Sequence, residues 1–414
     1  MVIKLITFTT LYPDSARPSH GIFVENRLRH LVAGSKIVSR VVAPVPWFPL
    51  RGPRFGKYAR YARIPVKEVR NGIAIDHPRY PLIPKMGMML APWVMAAALR
   101  PKLVRICRNG YDFDVLDAHY FYPDGVAAAL LGRSLKKPVV ITARGSDLNL
   151  IADYFFPRHM IQWAAKQSAG LITVCQALKE KLIQLGTEAG RITVLRNGVD
   201  LAMFQPPKDR IALRQDLRLG EAKILLSVGG LIPLKGHDLI IRALAYLPGF
   251  KLLIAGEGPE KSAYLRLAAS VGVQERIEFL GVIGHEKLAA YYGAVDATVL
   301  ASSREGWPNV LLESMACGTP LVATAIGGIP EIVTRPEAGV LVRDRDCDAI
   351  ASGVQALFSR YPDHAATRRF AEQFSWDATT AGLEELFAGV ARQRQDSRAI
   401  RLQASQSAAT KVKS

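Results

Sequence analysis

The chain has 414 residues, of which 49% are hydrophobic and 22% are charged, and its formal net charge is +18. This length is too great for one core and this composition excludes a disordered chain, so two domains of about 200 residues each are expected. The positive charge predicts an anionic partner, which could be nucleic acid, an anionic membrane surface or a phosphorylated substrate.

The cysteines and the apolar segments indicate in which cellular compartment the protein is expected. The four cysteines are widely scattered, so neither a zinc site nor a disulfide framework is indicated, and a reducing cytoplasm is expected. The apolar run in residues 1–10 is too short for a signal peptide and predicts a buried strand. The most apolar window, 86–99, contains Pro92 and is too short for a span, so it predicts a buried or interfacial helix.

The first half of the chain alternates short β-branched runs with helical segments. The predicted strands lie at 2–8, 38–43, 115–118, 139–142, 171–174 and 192–195. Such alternation predicts a parallel sheet covered by helices on both faces. Ligands of such sheets bind beyond the carboxyl ends of the strands.

Candidate site residues follow three of these strand ends. Gly21 either lets backbone approach a phosphate or simply starts a helix. His119 directly follows the strand at 115–118, and a functional role is favoured over a structural one. Arg144 and Asp147 suit either an acceptor or phosphate contact, or a helix N-terminus with a surface arginine.

The segment from Trp47 to Arg70 interleaves aromatic and basic side chains. Aromatic anchors with basic residues suit an anionic bilayer interface or a lipid-linked diphosphate acceptor. Single-stranded nucleic acid also binds to combined aromatic and basic side chains, but no RNA-binding signature accompanies the segment. The structural alternative is a solvated surface loop.

A second α/β pattern begins after the proline-stiffened linker at 206–209. A strand predicted at 224–228 leads into Gly229, Gly230 and Lys235 before a helix. This arrangement suits a diphosphate, because glycine backbone comes close and the ammonium group neutralises charge. The spacing is not that of the Walker or Rossmann fingerprints, so neither an ATPase nor a dehydrogenase is supported.

The stretch 299–324 predicts a strand, a loop, a helix that starts at Pro308, and a second strand. Glu305 lies in the loop and Glu313 within the helix. The helix start can bind a phosphate, which leaves the two carboxylates to accept hydrogen bonds from hydroxyls. A nucleotide-sugar offers both kinds of group. The structural alternative is a helix with an acidic face.

The two glutamates, with seven residues between them, resemble the signature of family 4 glycosyltransferases, which have the GT-B fold. Other matches to the family follow in order. They are the Asn-Gly-Val-Asp run at 197–200, the Gly-Glu-Gly-Pro turn at 256–259, the Gly-Val pair at 281–282 and the run at 327–331. This order, from about residue 190 to 342 with weaker matches before, identifies the resemblance.

The resemblance implies an α/β chain with two Rossmann-like, doubly wound parallel-sheet domains that face each other across a cleft. The implied reaction is a retaining transfer of a sugar from a UDP- or GDP-linked donor to a saccharide or lipid-linked acceptor, without cofactor or metal. Cell-surface polysaccharide or glycolipid assembly is the expected role. The expected location is the cytoplasm or the cytoplasmic face of an anionic membrane, with no nucleic-acid partner.

The expected domains are an acceptor domain at 1–205 and a donor domain at 206–375. A helix at 376–392 is expected to cross back to the first domain, and a basic, disordered tail to occupy 393–414.

By resemblance, the catalytic group consists of Glu305 at the transferred sugar, Lys235 at the departing phosphate, and His119. Glu313 is implied to hold the ribose. The other implied donor contacts are Gly21, Gly229, Gly230, Gly258, Val282, Gly306, Asn309 and Val310. Arg144, Asp147 and Arg196 are candidates for acceptor or phosphate binding.

The chain departs from the family at Gly230, where an arginine is usual. Either Lys235 with helix dipoles suffices for the phosphates, or Arg304 or Arg196 supplies the charge. Two other functions fit the same features. One is a nucleotide-sugar epimerase on the same fold, and the other is a non-catalytic two-domain sugar-binding protein, a class that is normally exported.

Overall fold

The computed structural model describes residues 2–34, 36–50, 52–81 and 87–411, apart from the side chains of residues 53, 57, 87, 88 and 395–411. The chain forms two compact units. The first comprises Met1–Val174, Leu178–Arg196 and Ala378–Ser414, and the second comprises Cys175–Ala177 and Asn197–Asp377.

The first unit contains the predicted alternation of strands and helices. Its strands are β1 (Ile3–Phe8), β2 (Ile37–Val42), β3 (Val45–Pro46), β4 (Lys67–Arg70), β5 (Ile73–Asp76), β6 (Arg79–Tyr80), β7 (Val115–His119), β8 (Val139–Ala143), β9 (Gly170–Thr173) and β10 (Ile192–Val194). Its helices up to residue 184 are α1 (Ile22–Ala33), α2 (Gly56–Arg63), α3 (Gly87–Arg108), α4 (Val126–Leu135), α5 (Ser146–Asn149), α6 (Phe155–Gln167) and α7 (Gln176–Gln184).

The main sheet of this unit has eight strands in the order β10-β9-β8-β7-β1-β2-β5-β4. The strands pair in parallel except β4, which runs antiparallel to β5 at the edge. The sequence did not predict β4 and β5, because each is a run of only four residues, and β4 also lies within the basic and aromatic segment. A small second sheet pairs β3 with β6.

The second unit contains a six-stranded parallel sheet. Its strands are β11 (Lys223–Val228), β12 (Phe250–Ala255), β13 (Ile277–Gly281), β14 (Ala297–Leu300), β15 (Leu321–Thr324) and β16 (Gly339–Val342). Its helices are α8 (Arg210–Asp216), α9 (His237–Ala243), α10 (Lys261–Ser270), α11 (His285–Ala294), α12 (Asn309–Ala316), α13 (Ile329–Ile332), α14 (Cys347–Ser359) and α15 (His364–Glu372). The strand order is β13-β12-β11-β14-β15-β16, so β11 and β14 are central neighbours.

The last helix, α16 (Asp377–Lys411), packs into the first unit. Leu383, Phe387 and Val390 of this helix lie in the same core cluster as Leu28 and Leu31 of α1. The helix also continues through most of the range 393–414, which was expected to be disordered. The Ala, Gln, Arg and Lys residues of that range are strong helix formers, which explains the difference.

The division between the units falls after Arg196, before the predicted linker. The backbone N–H of Val199 donates to the carbonyl of Phe374 at 2.9 Å. Phe204 packs against Tyr292 with 6.2 Å between ring centroids. Through these contacts residues 197–204 belong to the second unit, which therefore begins before the prolines at 206–207.

The apolar window 86–99 forms most of α3, although residue 86 lies outside the described part of the chain. Met95, Leu99 and Leu103 of this helix are buried, as expected of a core helix. None of the described helices has the length and hydropathy needed to cross a membrane.

Candidate functional site

The loops that follow β11 and β14 meet at the carboxyl edge of the second sheet. Lys235 lies in the first loop and Glu305 in the second, and Lys235 Nζ is 2.7 Å from Glu305 Oε1. The Ser302 hydroxyl donates to the same oxygen at 2.7 Å. The side chains of Lys235 and Glu305 are 22% and 11% exposed. A cation and a carboxylate therefore lie side by side within reach of solvent.

Backbone contacts hold these two loops together. The N–H of Ser303 donates to the carbonyl of Leu234 at 2.8 Å. Gly236 has a φ of 68°, and a Cβ atom there would lie 2.1 Å from the carbonyl oxygen of Ala301. Only glycine permits both this conformation and this approach, so residue 236 fixes the spacing between the loops.

The helix α12 begins four residues after Glu305. Its first residues, Asn309 and Val310, carry N–H groups that have no partner within the helix, as at any helix N-terminus. The carbonyl of Gly306 accepts a hydrogen bond from the N–H of Gly328 at 3.0 Å, which ties the loop to the turn after β15. The Asn309 side chain accepts a hydrogen bond from Asn197 at 3.3 Å.

Glu313 lies in the next turn of α12 and is only 8% exposed. The hydroxyl of Tyr292 donates to its Oε2 at 3.2 Å. Burial raises the pKa of Glu313 to about 7, and the hydrogen bond from Tyr292 acts in the opposite direction. This carboxyl group is therefore partly protonated near neutral pH.

The glycines of the second unit shape the strand ends beside this site. The N–H of Gly229 donates to the carbonyl of Ala255 at 2.9 Å, which joins the loop after β11 to the end of β12. The carbonyl of Gly230 accepts from the N–H of Ile232 at 2.8 Å. A Cβ atom at Gly258 would lie 2.3 Å from the carbonyl oxygen of Leu231, so the predicted turn packs directly on that loop.

Val282, the predicted base contact, lines a pocket of about 670 Å³ between β13 and α11. The side chain of Val282 is 64% exposed. The other lining residues are Met203, Leu280, Ile283, Gly284, His285, Glu286, Lys287 and Tyr291.

In the first unit, His119 ends β7 and is buried. Arg144 Nη2 donates to His119 Nδ1, and His119 Nε2 therefore carries the proton that it donates to Asp117 Oδ2 at 2.9 Å. Burial lowers the pKa of His119 to about 4, with Asp117 opposing and Arg144 reinforcing the shift. The imidazole is therefore neutral at pH 7, and protein groups occupy both of its nitrogens.

A second buried arginine, Arg27 of α1, lies close enough to Asp117 and Arg144 to interact with them electrostatically. Burial lowers the pKa of Arg27 to about 10, and Asp117 opposes this shift. The guanidinium of Arg144 also lies over the ring of Phe23, at 5.3 Å from its centroid. The cluster around His119 therefore contains two arginines and the carboxylate of Asp117, and the carboxylate of Asp147 also interacts with Arg144.

Asp147 and Gly21 are both surrounded by backbone groups of the protein. The carboxylate of Asp147 accepts from the backbone N–H of Phe121 at 2.8 Å, of Arg144 at 3.1 Å and of Gly145 at 2.7 Å. Gly21 has a φ of 68°, and a Cβ atom there would lie 2.4 Å from the backbone of Leu11. For Gly21 this geometry favours the structural alternative that the sequence left open. For Asp147 the alternative was a helix N-cap with a surface arginine, but the N-cap residue of α5 is Gly145, which has no side chain, and Arg144 is buried.

The two arginines considered as substitutes at Gly230 lie in different units. Arg196 is exposed and is the last residue of the first unit before the division. Arg304 is half-buried and directly precedes Glu305 in the second unit. Arg304 therefore shares a loop with the candidate carboxylate.

Sequence reasoning missed three contributors to these sites. Ser302 binds Glu305, Tyr292 binds Glu313, and Asp117 binds His119. Asp117 could have been found, because alternate residues of a strand point to the same face and it precedes His119 by two positions. Within the described residues, no group of three or more His, Cys, Asp and Glu side chains could hold a metal ion.

Two family models match the chain. The model described as "Glycosyltransferase Family 4" matches residues 50–203, and the model described as "Glycosyl transferases group 1" matches residues 209–374. Together they match part of the first unit and most of the second, including the segments that contain Lys235, Glu305 and Glu313.

Three similar curated proteins carry the name "D-inositol 3-phosphate glycosyltransferase". The protein from Mycolicibacterium gilvum is 36% identical over 314 residues, which is 70% of this chain and 68% of the relative. That from Mycolicibacterium smegmatis is 35% identical over 58% of this chain and 56% of the relative. The protein from Mycobacterium marinum is 38% identical over 47% of this chain and 44% of the relative. Except in the first case, the match spans about half of the relative's length.

Solved structures share the fold. Sucrose-phosphate synthase from Thermosynechococcus elongatus has a TM-score of 0.76 at 20% identity and covers 94% of this chain and 99% of its own. The catalytic domain of starch synthase IV from Arabidopsis thaliana has a TM-score of 0.72 at 14% identity, and the match covers 94% of this chain and 99% of that domain. Anabaena HepE, solved with UDP-glucose, has a TM-score of 0.66 at 17% identity, and the match covers 96% of this chain and 100% of HepE. The predicted GT-B fold is thereby confirmed, and the chain belongs to glycosyltransferase family 4 and is a glycosyltransferase.

Proposed function

We propose that this glycosyltransferase transfers a sugar from a UDP- or GDP-linked donor to a saccharide or lipid-linked acceptor, with retention of anomeric configuration. The observation that carries the proposal is the contact between Lys235 and Glu305, 2.7 Å apart. In a nucleotide-sugar, the transferred sugar is bonded directly to the diphosphate. A cation for the phosphate and a carboxylate for the sugar hydroxyls must therefore be neighbours.

We propose one orientation for the donor on the second unit. Its diphosphate lies against Lys235 and the N-terminal N–H groups of α12, where the positive end of the helix dipole favours an anion. Its ribose hydroxyls donate to Glu313, and its base occupies the pocket beside Val282. The structure of HepE with UDP-glucose shows that a protein of this fold binds a nucleotide-sugar, which supports the proposal.

In the reaction, the bond between the anomeric carbon and the diphosphate oxygen breaks, and the sugar develops oxocarbenium character. Lys235 and the α12 dipole stabilise the charge that grows on the departing diphosphate. Glu305 orients the sugar through its hydroxyls, and its negative charge lies near the developing positive charge. The acceptor hydroxyl then forms the new glycosidic bond, and its proton passes to the departing diphosphate oxygen.

The acceptor is assigned to the first unit, near His119 and Arg144 at the ends of β7 and β8. We assign the enzyme to cell-surface polysaccharide or glycolipid assembly at the cytoplasmic face of a membrane. The relatives' name makes D-inositol 3-phosphate an acceptor that belongs in the same test.

The segment from Trp47 to Arg70 supports membrane association. Trp47 is 57% exposed and Tyr58 is 36% exposed. Arg54, Arg60 and Arg63 are exposed too, whereas Ala59 and Ile64 are buried, so the basic face of α2 points to solvent. Arg70 does not belong to this face, because it pairs with Glu25 at 2.9 Å. Residue 51 and the side chain of residue 57 lie outside the described structure.

A donor screen followed by a transfer assay tests the function. We expect a nucleotide-sugar to raise the melting temperature because it binds the folded protein alone. That donor should release its nucleotide only when an acceptor is added. Epimerisation without acceptor would establish the epimerase instead, and donor binding without turnover on any acceptor would establish a sugar-binding protein.

A further inference from the structure

Arg345 lies in the loop between β16 and α14 and reaches both loops of the candidate donor site. Its Nε donates to the carbonyl of Ala301 at 2.9 Å. Its Nη2 donates to the carbonyl of Pro233 at 3.4 Å. One guanidinium group therefore joins the end of β14 to the turn after β11, although Arg345 lies 44 residues from Ala301 and 112 residues from Pro233 in the chain.

The two carbonyls belong to the segments that carry Lys235 and Glu305. Pro233 opens the short helical turn that contains Lys235. Ala301 directly follows β14 and leads through Ser302 to Glu305. A shift of either segment would change the distance between the ammonium group and the carboxylate.

The position of Arg345 is itself fixed. Its neighbour Asp346 caps α14, because the Asp346 side chain accepts from the N–H of Ala349 at 2.7 Å. The backbone at the start of α14 is thereby anchored, and the arginine extends from it toward the two loops. The planar guanidinium can donate to two carbonyls at once, which a lysine ammonium on its flexible stem does less well.

We propose that Arg345 is a positioning residue for the donor site: it clamps the turn at Pro233 to Ala301 and so holds Lys235 beside Glu305. This inference rests on the proposed function, in which Lys235 binds the donor diphosphate and Glu305 the sugar. Arg345 acts through these two residues and not on the substrate itself. Arg345 is exposed and lies between Asp344 and Asp346 in the sequence.

The kinetic test compares Arg345→Ala, Arg345→Lys and the matched control Arg343→Ala, which removes an exposed arginine two positions away in the same loop. We expect Arg345→Ala to lower kcat/KM by about tenfold, within the range of coupling between neighbouring groups. Arg345→Lys should recover part of this loss, and Arg343→Ala should match the wild type. Full recovery in Arg345→Lys would show that charge alone matters and would overturn the clamp. An unchanged kcat/KM with a lower melting temperature would overturn it too, by showing a purely structural role.

A double-mutant cycle shows through which residue Arg345 acts. In a Lys235→Ala background, Arg345→Ala should cost clearly less than its loss of about tenfold in the wild type, because the contact between Lys235 and Glu305 that it holds is already gone. Additive losses would mean that Arg345 does not act through this contact, which contradicts the inference.

A crystal structure of the Arg345→Ala enzyme separates this inference from the proposed function. The turn at Pro233 should move away from Ala301, and Lys235 should lose its contact with Glu305, while Arg343→Ala leaves both in place. If Lys235→Ala has wild-type turnover, the proposed role of Lys235 fails, but this structural comparison still decides the clamp. An unmoved turn would overturn the clamp whatever the kinetics.

Discussion

The ammonium group of Lys235 and the carboxylate of Glu305 are in contact at 2.7 Å, although 70 residues separate them in the chain. They come from the loops after β11 and β14, which are adjacent in the parallel sheet. Parallel strands bring their carboxyl ends to one edge, so the two loops must emerge side by side. The sheet thereby creates the cation and carboxylate pair on which the proposed chemistry depends.

We predict that Glu305→Ala lowers kcat/KM by at least about 100-fold, the loss typical of an electrostatic group at a reacting centre. Glu305→Gln should retain part of the activity because its amide oxygen still accepts hydrogen bonds. The melting temperature should change little, since Glu305 lies in a loop and touches solvent. Turnover and thermal unfolding are measured on the same preparations. Near-normal turnover, or a collapsed fold, would refute the role.

Lys235→Ala should weaken binding of the nucleoside diphosphate by about 2 kcal/mol, the lower end of the range for a charge that loses its partner, because Lys235 is partly exposed. Arg304→Ala, in the neighbouring loop, is the matched cation control. Calorimetric titration measures both affinities. Unchanged affinity in Lys235→Ala together with a loss in Arg304→Ala would move the phosphate contact to Arg304, and unchanged affinity in both would move it to Arg196.

Glu313 should make stability and donor affinity depend on pH in opposite directions. Burial raises its pKa to about 7 in the folded protein, above the usual value of a glutamate, so folding favours the protonated form. Stability should therefore fall as the pH rises from about 5 to 8. Donor affinity should rise over the same interval, because the ionised carboxylate accepts hydrogen bonds from both ribose hydroxyls.

The Glu313→Gln variant tests this dependence. It should unfold at a higher temperature than the wild type at about pH 8, because it has no carboxylate to bury, and the difference should shrink toward about pH 5. Its donor affinity should be lower and nearly independent of pH. Parallel melting and titration curves for the two proteins over this interval would disprove the assignment.

Membrane binding should depend on the basic face of α2. The test variant changes Arg54, Lys57, Arg60 and Arg63 to Ser, and the control changes four basic residues elsewhere in the first unit, Arg29, Lys36, Arg133 and Lys166. Each basic residue near an anionic surface contributes about 1 kcal/mol, so the test variant should lose most cosedimentation with anionic vesicles. The control should bind like the wild type, and salt should weaken binding without abolishing it. If all three proteins partition alike, the segment is a solvated surface.

The sequence alone determined the two α/β units and most of their strands, because apolar periodicity and glycine or proline breaks are local signals. It also identified the loops that contain Lys235, Glu305 and Glu313, since a strand end before a helix start is visible in the chain. What it could not give were contacts between distant segments. Arg70 forms an ion pair with Glu25 and therefore does not belong to the expected basic face. The spacing of residues in the sequence does not indicate this contact.

Only the tertiary structure decided which groups face each other at each site. It showed that both nitrogens of His119 are occupied and that Arg345 spans two loops. Burial gives Glu313 its raised pKa, and burial is a property of the packed fold. Sheet order and helix packing set these distances, because residues far apart in the chain become neighbours only when the strands pair.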